Sequence, residues 1–95
     1  MIKTWANRAS ERFHIEGKSS PFRGLDVRIA QNRLAYLNAV TDLREISPLK
    51  SMGLHKLKGD RAGQWAINVN GRWRICSRFK DGDAYDVEIT DYHRG

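Results

Sequence analysis

The sequence predicts an α+β fold in which two N-terminal helices pack on a small, twisted and mainly antiparallel β-sheet. The first half of the chain has apolar residues at helical spacing, and the second half has runs rich in Trp, Ile and Val that are separated by turn signals. An amphipathic helix needs an apolar partner surface, and the strands are the only large one that the chain can supply. The helices are therefore expected to cover one face of the sheet.

A brief strand and a short helix are predicted at the start of the chain. Ile2-Lys3-Thr4-Trp5 alternates apolar and polar side chains, as strands do. From about Asn7 to Glu16 the apolar residues return at helical spacing, and Gly17 is a typical C-terminal stop. His14 stands among charged residues on this helix and is interpreted as a solvated surface histidine.

The longest predicted helix extends from Gly24 to about Leu43. Apolar residues recur along it at intervals of three to five: Leu25, Ile29, Leu34, Leu37 and Val40. The arginines between them, such as Arg28 and Arg33, are interpreted as a solvated helix surface. A further short turn is expected around Thr41-Asp42-Leu43, before Pro48.

The centre of the sheet is predicted to be a hairpin that turns at Asn70-Gly71. A strict two-residue loop would mix apolar and charged side chains on one face of the sheet. One extra loop residue, or an equivalent bulge, pairs Ile67 with Ile75 and puts Asn68 beside Arg74 on the other face. The three-residue loop is therefore the prediction.

A second hairpin is predicted across residues 80–84. Its apolar pattern pairs Phe79 with Tyr85 and Ile75 with Ile89, and sets Arg78 opposite Asp86. Continued toward the chain end, the two registers bring a set of polar residues into one neighbourhood. This set is Arg72, Arg74, Asp91, Tyr92 and His93.

The charge balance indicates a polyanionic partner. Lys and Arg number 17 against 11 Asp and Glu, a net charge of +6, and the outward-facing residues of the predicted sheet are mostly basic. Nucleic acid, an anionic membrane or an acidic protein would fit. The membrane fits least, because no apolar run approaches the ~20 residues needed to span it and the first residues lack a signal-peptide core. A cytoplasmic protein without membrane association is expected.

The length and the cysteine count narrow the possibilities further. A chain of 95 residues is expected to form one domain, residues 1–95. The single Cys76 excludes an internal disulfide, and strand alternation puts it beside Ala66 as a small filler rather than a nucleophile. No CxxC or HExxH motif occurs, and a polar hairpin tip explains Asp81, Asp83 and Asp86 without calcium. Neither a metal nor another cofactor is predicted.

The predicted neighbourhood contains the side-chain types that cut RNA without a metal. That reaction needs a base for the 2′-hydroxyl proton, a cation for the charge on the phosphate, and an acid for the leaving 5′-oxygen. Histidine carries protons near neutral pH, Arg and Lys stabilise phosphate charge, a carboxylate can orient a histidine or act as base, and an aromatic ring stacks on a base. The candidates are His55, His93, Arg74, Lys58, Asp91 and Tyr92. On these residues alone, a nuclease and a general RNA-binding module both remain open.

Four groups of residues resemble the HigB-type host-inhibition toxins, or plasmid maintenance killer proteins, of the RelE superfamily. The groups are Leu54-His55 with Leu57-Lys58-Gly59-Asp60, Trp73-Arg74-Ile75, Gly82-Asp83-Ala84 and Asp91-Tyr92-His93. The resemblance covers nearly the whole chain. It implies a small RelE-like α+β fold and a toxin that cuts messenger RNA during translation on the ribosome, without a metal ion.

The same resemblance assigns expected roles to matched residues. His55 and His93 resemble the family's catalytic histidines, Asp91 and Tyr92 its C-terminal active-site pair, and Lys58 and Arg74 its phosphate-binding cations, with Arg72 as a further RNA contact. Two departures stand out. Lys56 occupies a position where relatives often have proline, and Arg94-Gly95 follow the usual terminal histidine.

The resemblance also implies partners. A HigA-type antitoxin, a small helix-turn-helix protein, is expected to suppress the toxin and to bind operator DNA, so that the toxin meets operator DNA only within that complex. The ribosome and messenger RNA are the other expected partners. The alternative is a basic RNA-binding or antitoxin-binding module that has kept the fold without catalysis.

Overall fold

The helices precede the sheet along the chain, as the apolar spacing predicts. The computed structural model describes residues 1–91, so the predicted site residues Tyr92 and His93 lie outside the described residues. Within that range the elements are α1 (Arg8–Glu16), α2 (Val27–Ala39), β1 (His55–Lys56), β2 (Trp65–Asn68), β3 (Trp73–Lys80) and β4 (Asp83–Asp91). Short 3₁₀ turns lie at Leu43–Glu45, Lys50–Met52 and Gly59–Arg61. The predicted α+β class is confirmed.

The first helix has the predicted bounds because both of its ends are capped. The side chain of Asn7 accepts a hydrogen bond from the Ser10 N–H at 2.8 Å, which satisfies a free donor of the first turn. Gly17 ends α1 in the left-handed conformation, at φ 73°. His14 is exposed, as predicted, and its ring lies 5.2 Å from that of Trp5.

The second helix is shorter at both ends than the predicted span from residue 24 to about 43. Asp26 caps its start by accepting from the Ile29 N–H at 3.0 Å, and Val40 leaves the helical conformation with ψ at 148°. Val40 is still buried, so the apolar stripe continues one residue past the helix. The predicted turn that follows is confirmed, and Asp42 and Glu45 form its capping box.

One face of the sheet carries the main core. The strands run in the order β1-β2-β3-β4 and every neighbouring pair is antiparallel. Side chains from both helices fill the space over this face and leave its centre without solvent contact. The core includes Phe13, Leu34, Leu37, Ile67, Ile75 and Val87. The predicted packing of helices on one sheet face is confirmed.

The first hairpin has the predicted register. Ile67 stands opposite Ile75 and Asn68 opposite Arg74. The Val69 N–H donates to the carbonyl oxygen of residue 73 at 3.0 Å, which leaves residues 70–72 as the three-residue loop. This loop follows from burial, because a two-residue loop would have turned charged side chains into the core.

The second hairpin has the predicted register in its inner half only. Ile75 pairs with Ile89 as predicted, but Phe79 pairs with Ala84 rather than with Tyr85. The prediction was wrong because Asp81-Gly82 forms a two-residue turn with φ values of 50° and 84°, the left-handed pair that favours such hairpins. The extra residue is absorbed in β4, where the register shifts and Asp86 has φ 53°.

The N-terminal segment covers the outer edge of β4. It forms isolated parallel bridges from Ile2 to Ala84 and from Trp5 to Val87, so the predicted brief strand is reduced to two bridges. Between them the Asp86 N–H donates to the hydroxyl of residue 4 at 2.8 Å instead of to a backbone carbonyl. A covered edge cannot pair with another chain. In the described part of the chain, no helix is long and apolar enough to cross a membrane.

Candidate active site

The sheet face that points away from the helices is less basic than the sequence predicts. At its centre Ala66 and Cys76 stand opposite each other and are buried together with Leu57. The connection between β1 and β2 lies over these small residues and forms a second, smaller core. Cations therefore lie around this outer face rather than across it, because its centre is covered by the chain itself.

The thiol of Cys76 is part of this small core. Its residue has no exposed surface, and burial is the main cause that raises the pKa of the thiol from 9.0 to about 11, with Arg61 lowering it and Glu88 raising it. A thiol reacts as the thiolate, which is scarce at neutral pH under these conditions. The interpretation of Cys76 as a filler beside Ala66 is confirmed.

Three of the predicted site residues come together at the hairpin end of the sheet. Arg74 stands opposite Thr90, as the predicted register requires. One residue beyond Thr90 on β4, the Asp91 Oδ1 lies 3.5 Å from the Arg72 Nε, and both side chains are about half exposed or more. Strand alternation directs Thr90 and Asp91 to opposite faces, so the Arg72–Asp91 pair lies at the edge of the outer face rather than on it.

The guanidinium of Arg74 is held against the turn. Its Nη1 donates to the carbonyl oxygens of Gly71 at 2.8 Å and Trp73 at 2.9 Å. A guanidinium has five N–H groups in a rigid plane, so these contacts fix its position and leave further donors for an anion.

The imidazole of His55 is oriented by one backbone contact. Its Nδ1 lies 2.9 Å from the Gly53 carbonyl oxygen. A carbonyl oxygen only accepts, so Nδ1 carries the hydrogen, and in the neutral ring Nε2 is left with a free lone pair. Gly53 has φ 52°, and a Cβ at that position would run into the Asn68 amide. The glycine is therefore required where the histidine is anchored.

Lys58 lies on the far side of His55 from Arg74. Along β1 the chain moves away from the Arg74 row, since His55 is opposite Ala66 whereas Arg74 is opposite Asn68. Sheet spacings put the Cα atoms of His55 and Arg74 roughly 12 Å apart, and Lys58 is farther still. The two predicted phosphate-binding cations thus flank the histidine rather than meet. Lys58 itself is exposed.

Sequence reasoning missed an ion pair on this face. The Arg61 Nη1 donates to the Glu88 Oε1 and to the Gln64 Oε1, both at 3.1 Å. The side chains of Arg61 and Glu88 are only 26% and 24% exposed. A signal was present, because the predicted register puts Glu88 beside Cys76, and a largely buried carboxylate among small apolar residues needs a cation.

The described residues do not form a metal site. Among residues 1–91, no three His, Cys, Asp or Glu side chains gather as potential ligands. The chemistry available there is that of a histidine, a carboxylate and fixed cations. These groups can move a proton and hold an anion.

Within the described residues, two helices pack on one face of a four-stranded antiparallel sheet, and a histidine and cations lie around the other face. This arrangement defines a small RelE-like α+β protein. A family model for the RelE-like toxin of type II toxin-antitoxin system HigB matches residues 3–93. The chain is also 36% identical over 93 residues to Endoribonuclease HigB of Proteus vulgaris, covering 98% of this chain and 100% of that relative. The chain therefore belongs to the HigB-like family of type II toxins.

Family membership confirms the predicted resemblance to the HigB-type toxins of the RelE superfamily. It also establishes the class of one partner, since a type II toxin is one half of a toxin–antitoxin system.

Proposed function

We propose that this toxin is an endoribonuclease that cuts messenger RNA while it is translated on the ribosome. The observation that carries the proposal is the orientation of His55, whose free Nε2 is suited to accept a proton, in a chain similar over its length to a protein named Endoribonuclease HigB. The reaction is acid–base cleavage that uses side chains alone.

The chemical step begins at the 2′-hydroxyl of the RNA. The His55 Nε2 takes its proton, and the 2′-oxygen forms a bond to the adjacent phosphorus. The bond from phosphorus to the 5′-oxygen breaks, and that oxygen receives a proton from an acid, for which His93 is the candidate. The products are a 2′,3′-cyclic phosphate and a 5′-hydroxyl end.

The other candidates bind and orient the RNA. Arg74 and Lys58 stabilise charge on the phosphates at either side of the cleaved bond, and Arg72 adds a further contact. Asp91 lies beside Arg72 and serves to orient the neighbouring groups. Tyr92 provides a ring on which a base can stack.

The proposal extends to partners and location. The antitoxin is a HigA-type helix-turn-helix protein, and the toxin meets operator DNA only through that complex. The ribosome and messenger RNA are found in the cytoplasm, so we place the toxin there, without membrane association. Residues 1–95 act as one toxin domain.

Induction of the toxin without its antitoxin tests the proposal. Growth should stop, and sequencing of RNA 5′ ends should find new ends within translated messages. In a purified system the cuts should require translating ribosomes and should be absent from the same RNA alone. His55→Ala is the control for cleavage by a contaminating nuclease. A non-catalytic RNA-binding or antitoxin-binding module would produce no new ends at all.

A further inference from the structure

We infer that the ion pair between Arg61 and Glu88, called here the Arg61–Glu88 bridge, holds the two halves of the candidate active site in register. Both residues are positioning residues for RNA cleavage, and the inference rests on the proposed function. One half of the site is the segment that carries His55 and Lys58. The other half is the end of β4, which carries Asp91.

The bridge crosses the sheet. Arg61 belongs to the connection between β1 and β2, whereas Glu88 lies on β4, at the opposite end of the strand order. Ala66 and Cys76 lie in the same cross-strand row as Glu88, and the charge of Arg61 is near enough to act on the Cys76 thiol. Two small residues leave the room that a guanidinium needs, and larger ones would push the connection away from the sheet.

The strand that carries the first half of the site is short. Strand β1 has two residues, and its ladder to β2 consists of the pairs His55–Ala66 and Lys56–Trp65. An edge ladder of this length is weak, because short two-stranded pairings are marginally stable without side-chain packing. The bridge adds a long-range contact, since Arg61 and Glu88 are 27 residues apart in sequence.

Arg61 is coupled directly to the backbone that carries Lys58. The Arg61 N–H donates to the Lys58 carbonyl oxygen at 3.4 Å, and the Arg61 side chain also donates to Gln64. The Leu57 N–H in turn donates to the Gln64 carbonyl oxygen at 2.9 Å, and Leu57 is buried. The bridge at Arg61 therefore restrains the segment 57–64 through these contacts.

The second half of the site is coupled to the bridge through strand β4. Asp91 follows Glu88 by three residues on the same strand, which is fixed to β3 by the pairs Ile75–Ile89 and Arg74–Thr90. The ion pair at Glu88 thus sets the position of the connection between β1 and β2 relative to Arg74 and Asp91. Because the pair is about three-quarters buried, the loss of one partner leaves a poorly solvated charge and favours opening.

Glu88→Gln is the primary test variant. It keeps the size of the side chain and removes the charge. Asp86→Asn is the matched control, since it removes the same charge from the same strand, where Asp86 pairs with Arg78 at 3.5 Å and both side chains are about half exposed. Asn also tolerates the left-handed backbone of that position. The two variants have equal net charge.

The measurements are the rate of messenger RNA cleavage at saturating translating ribosomes and the affinity for those ribosomes. Glu88→Gln should lower the saturated rate roughly 10- to 100-fold, the effect of misplacing a catalytic group by about 1 Å, while affinity changes less than about twofold. Asp86→Asn should leave both near the wild-type values. Arg61→Lys should retain more activity than Arg61→Gln, because it keeps the charge.

Two further results separate positioning from general loss of fold or a direct role of Arg61. Cys76 is buried and stands opposite Glu88 in the sheet, so loss of the bridge should make its thiol more accessible. A thiol reagent should therefore label it faster in Glu88→Gln than in Asp86→Asn while the melting temperatures of both remain well above the assay temperature. The double variant with Arg61→Gln and Glu88→Gln should lose no more cleavage rate than Arg61→Gln alone.

The inference is overturned if wild type cuts but Glu88→Gln has the same cleavage rate as Asp86→Asn. It is also overturned if the fold losses in cleavage rate from Arg61→Gln and Glu88→Gln multiply in the double variant. A wild-type chain that makes no new RNA ends would instead refute the proposed function.

Discussion

A single backbone carbonyl determines which nitrogen of His55 can act. The contact from Nδ1 to Gly53 gives the ring its hydrogen on that side and leaves Nε2 free. The anchoring glycine closes the 3₁₀ turn Lys50–Met52 in the left-handed conformation. A short, local turn thus orients the side chain on which the proposed chemistry depends.

At the same scale, replacement of either histidine tests the division of roles. His93→Ala should slow cleavage by roughly 10²–10⁴-fold, the usual contribution of a general acid or base, with ribosome binding largely retained. His55→Ala should have an effect in the same range. Single-turnover cleavage on translating ribosomes measures both.

A loss of melting temperature that parallels the loss of activity would make His93 structural. If only His55 proves necessary, the triplet Asp91-Tyr92-His93 positions the substrate. The second proton transfer then belongs to Asp91 or to water.

The buried thiol of Cys76 makes a specific contribution to the pH dependence of stability. Its pKa is about 11 in the folded chain against 9.0 for an ordinary thiol, so well below pH 9 both states are protonated and the thiol adds no pH dependence to stability. Between pH 9 and 11 the unfolded chain releases the proton first, and the free energy of unfolding falls by about 2–3 kcal/mol. Urea unfolding of wild type and Cys76→Ala across this window should show the difference. Parallel pH profiles would contradict it.

At the scale of elements, α1 and β4 are joined by one buried hydrogen bond. The Ser10 hydroxyl accepts from the Ile89 N–H at 2.9 Å, just beyond the edge that the N-terminal segment covers. The two residues are 79 positions apart in sequence. A strand donor that would otherwise face the core is thus satisfied by a helix side chain.

Removal of this hydroxyl should destabilise the fold. Ser10→Ala leaves the Ile89 N–H buried without an acceptor, which costs about 1–3 kcal/mol of unfolding free energy. Urea denaturation measures the change. Ser20→Ala, in an exposed loop, is the control and should stay within about 0.5 kcal/mol of wild type. Equal effects of the two substitutions would mean that the hydrogen bond contributes nothing.

At the scale of the whole molecule, the net charge of +6 attracts any polyanion, but only part of it should touch RNA. Lys58→Ala or Arg74→Ala should weaken ribosome binding and lower its salt dependence, by about 0.7–0.9 in the slope of log affinity against log salt per lost phosphate contact. Arg28→Ala, exposed on α2, should matter little. Binding titrations at several salt concentrations measure the slopes. Equal losses at all three positions would indicate diffuse charge instead of a defined site.

The sequence alone was sufficient wherever the information is local or periodic. Helical spacing with Asn7 and Gly17 at its ends predicted α1, and alternation predicted the first hairpin with its three-residue loop. Alternation also placed Cys76 beside Ala66. These features follow from period and burial, which a single segment carries in itself.

Only the tertiary structure decided which separate segments meet. The bulge at Asp86 shifted the outer half of the second hairpin, because the Asp81-Gly82 turn and the core each impose a register and the two differ by one residue. The β1–β2 connection closed over the small residues of the sheet, so that Arg61 reached Glu88 and the expected basic face became a covered one. Periodicity tells which face a residue lies on, but not which distant chain segment will lie over it, because that depends on the shapes and charges of both surfaces.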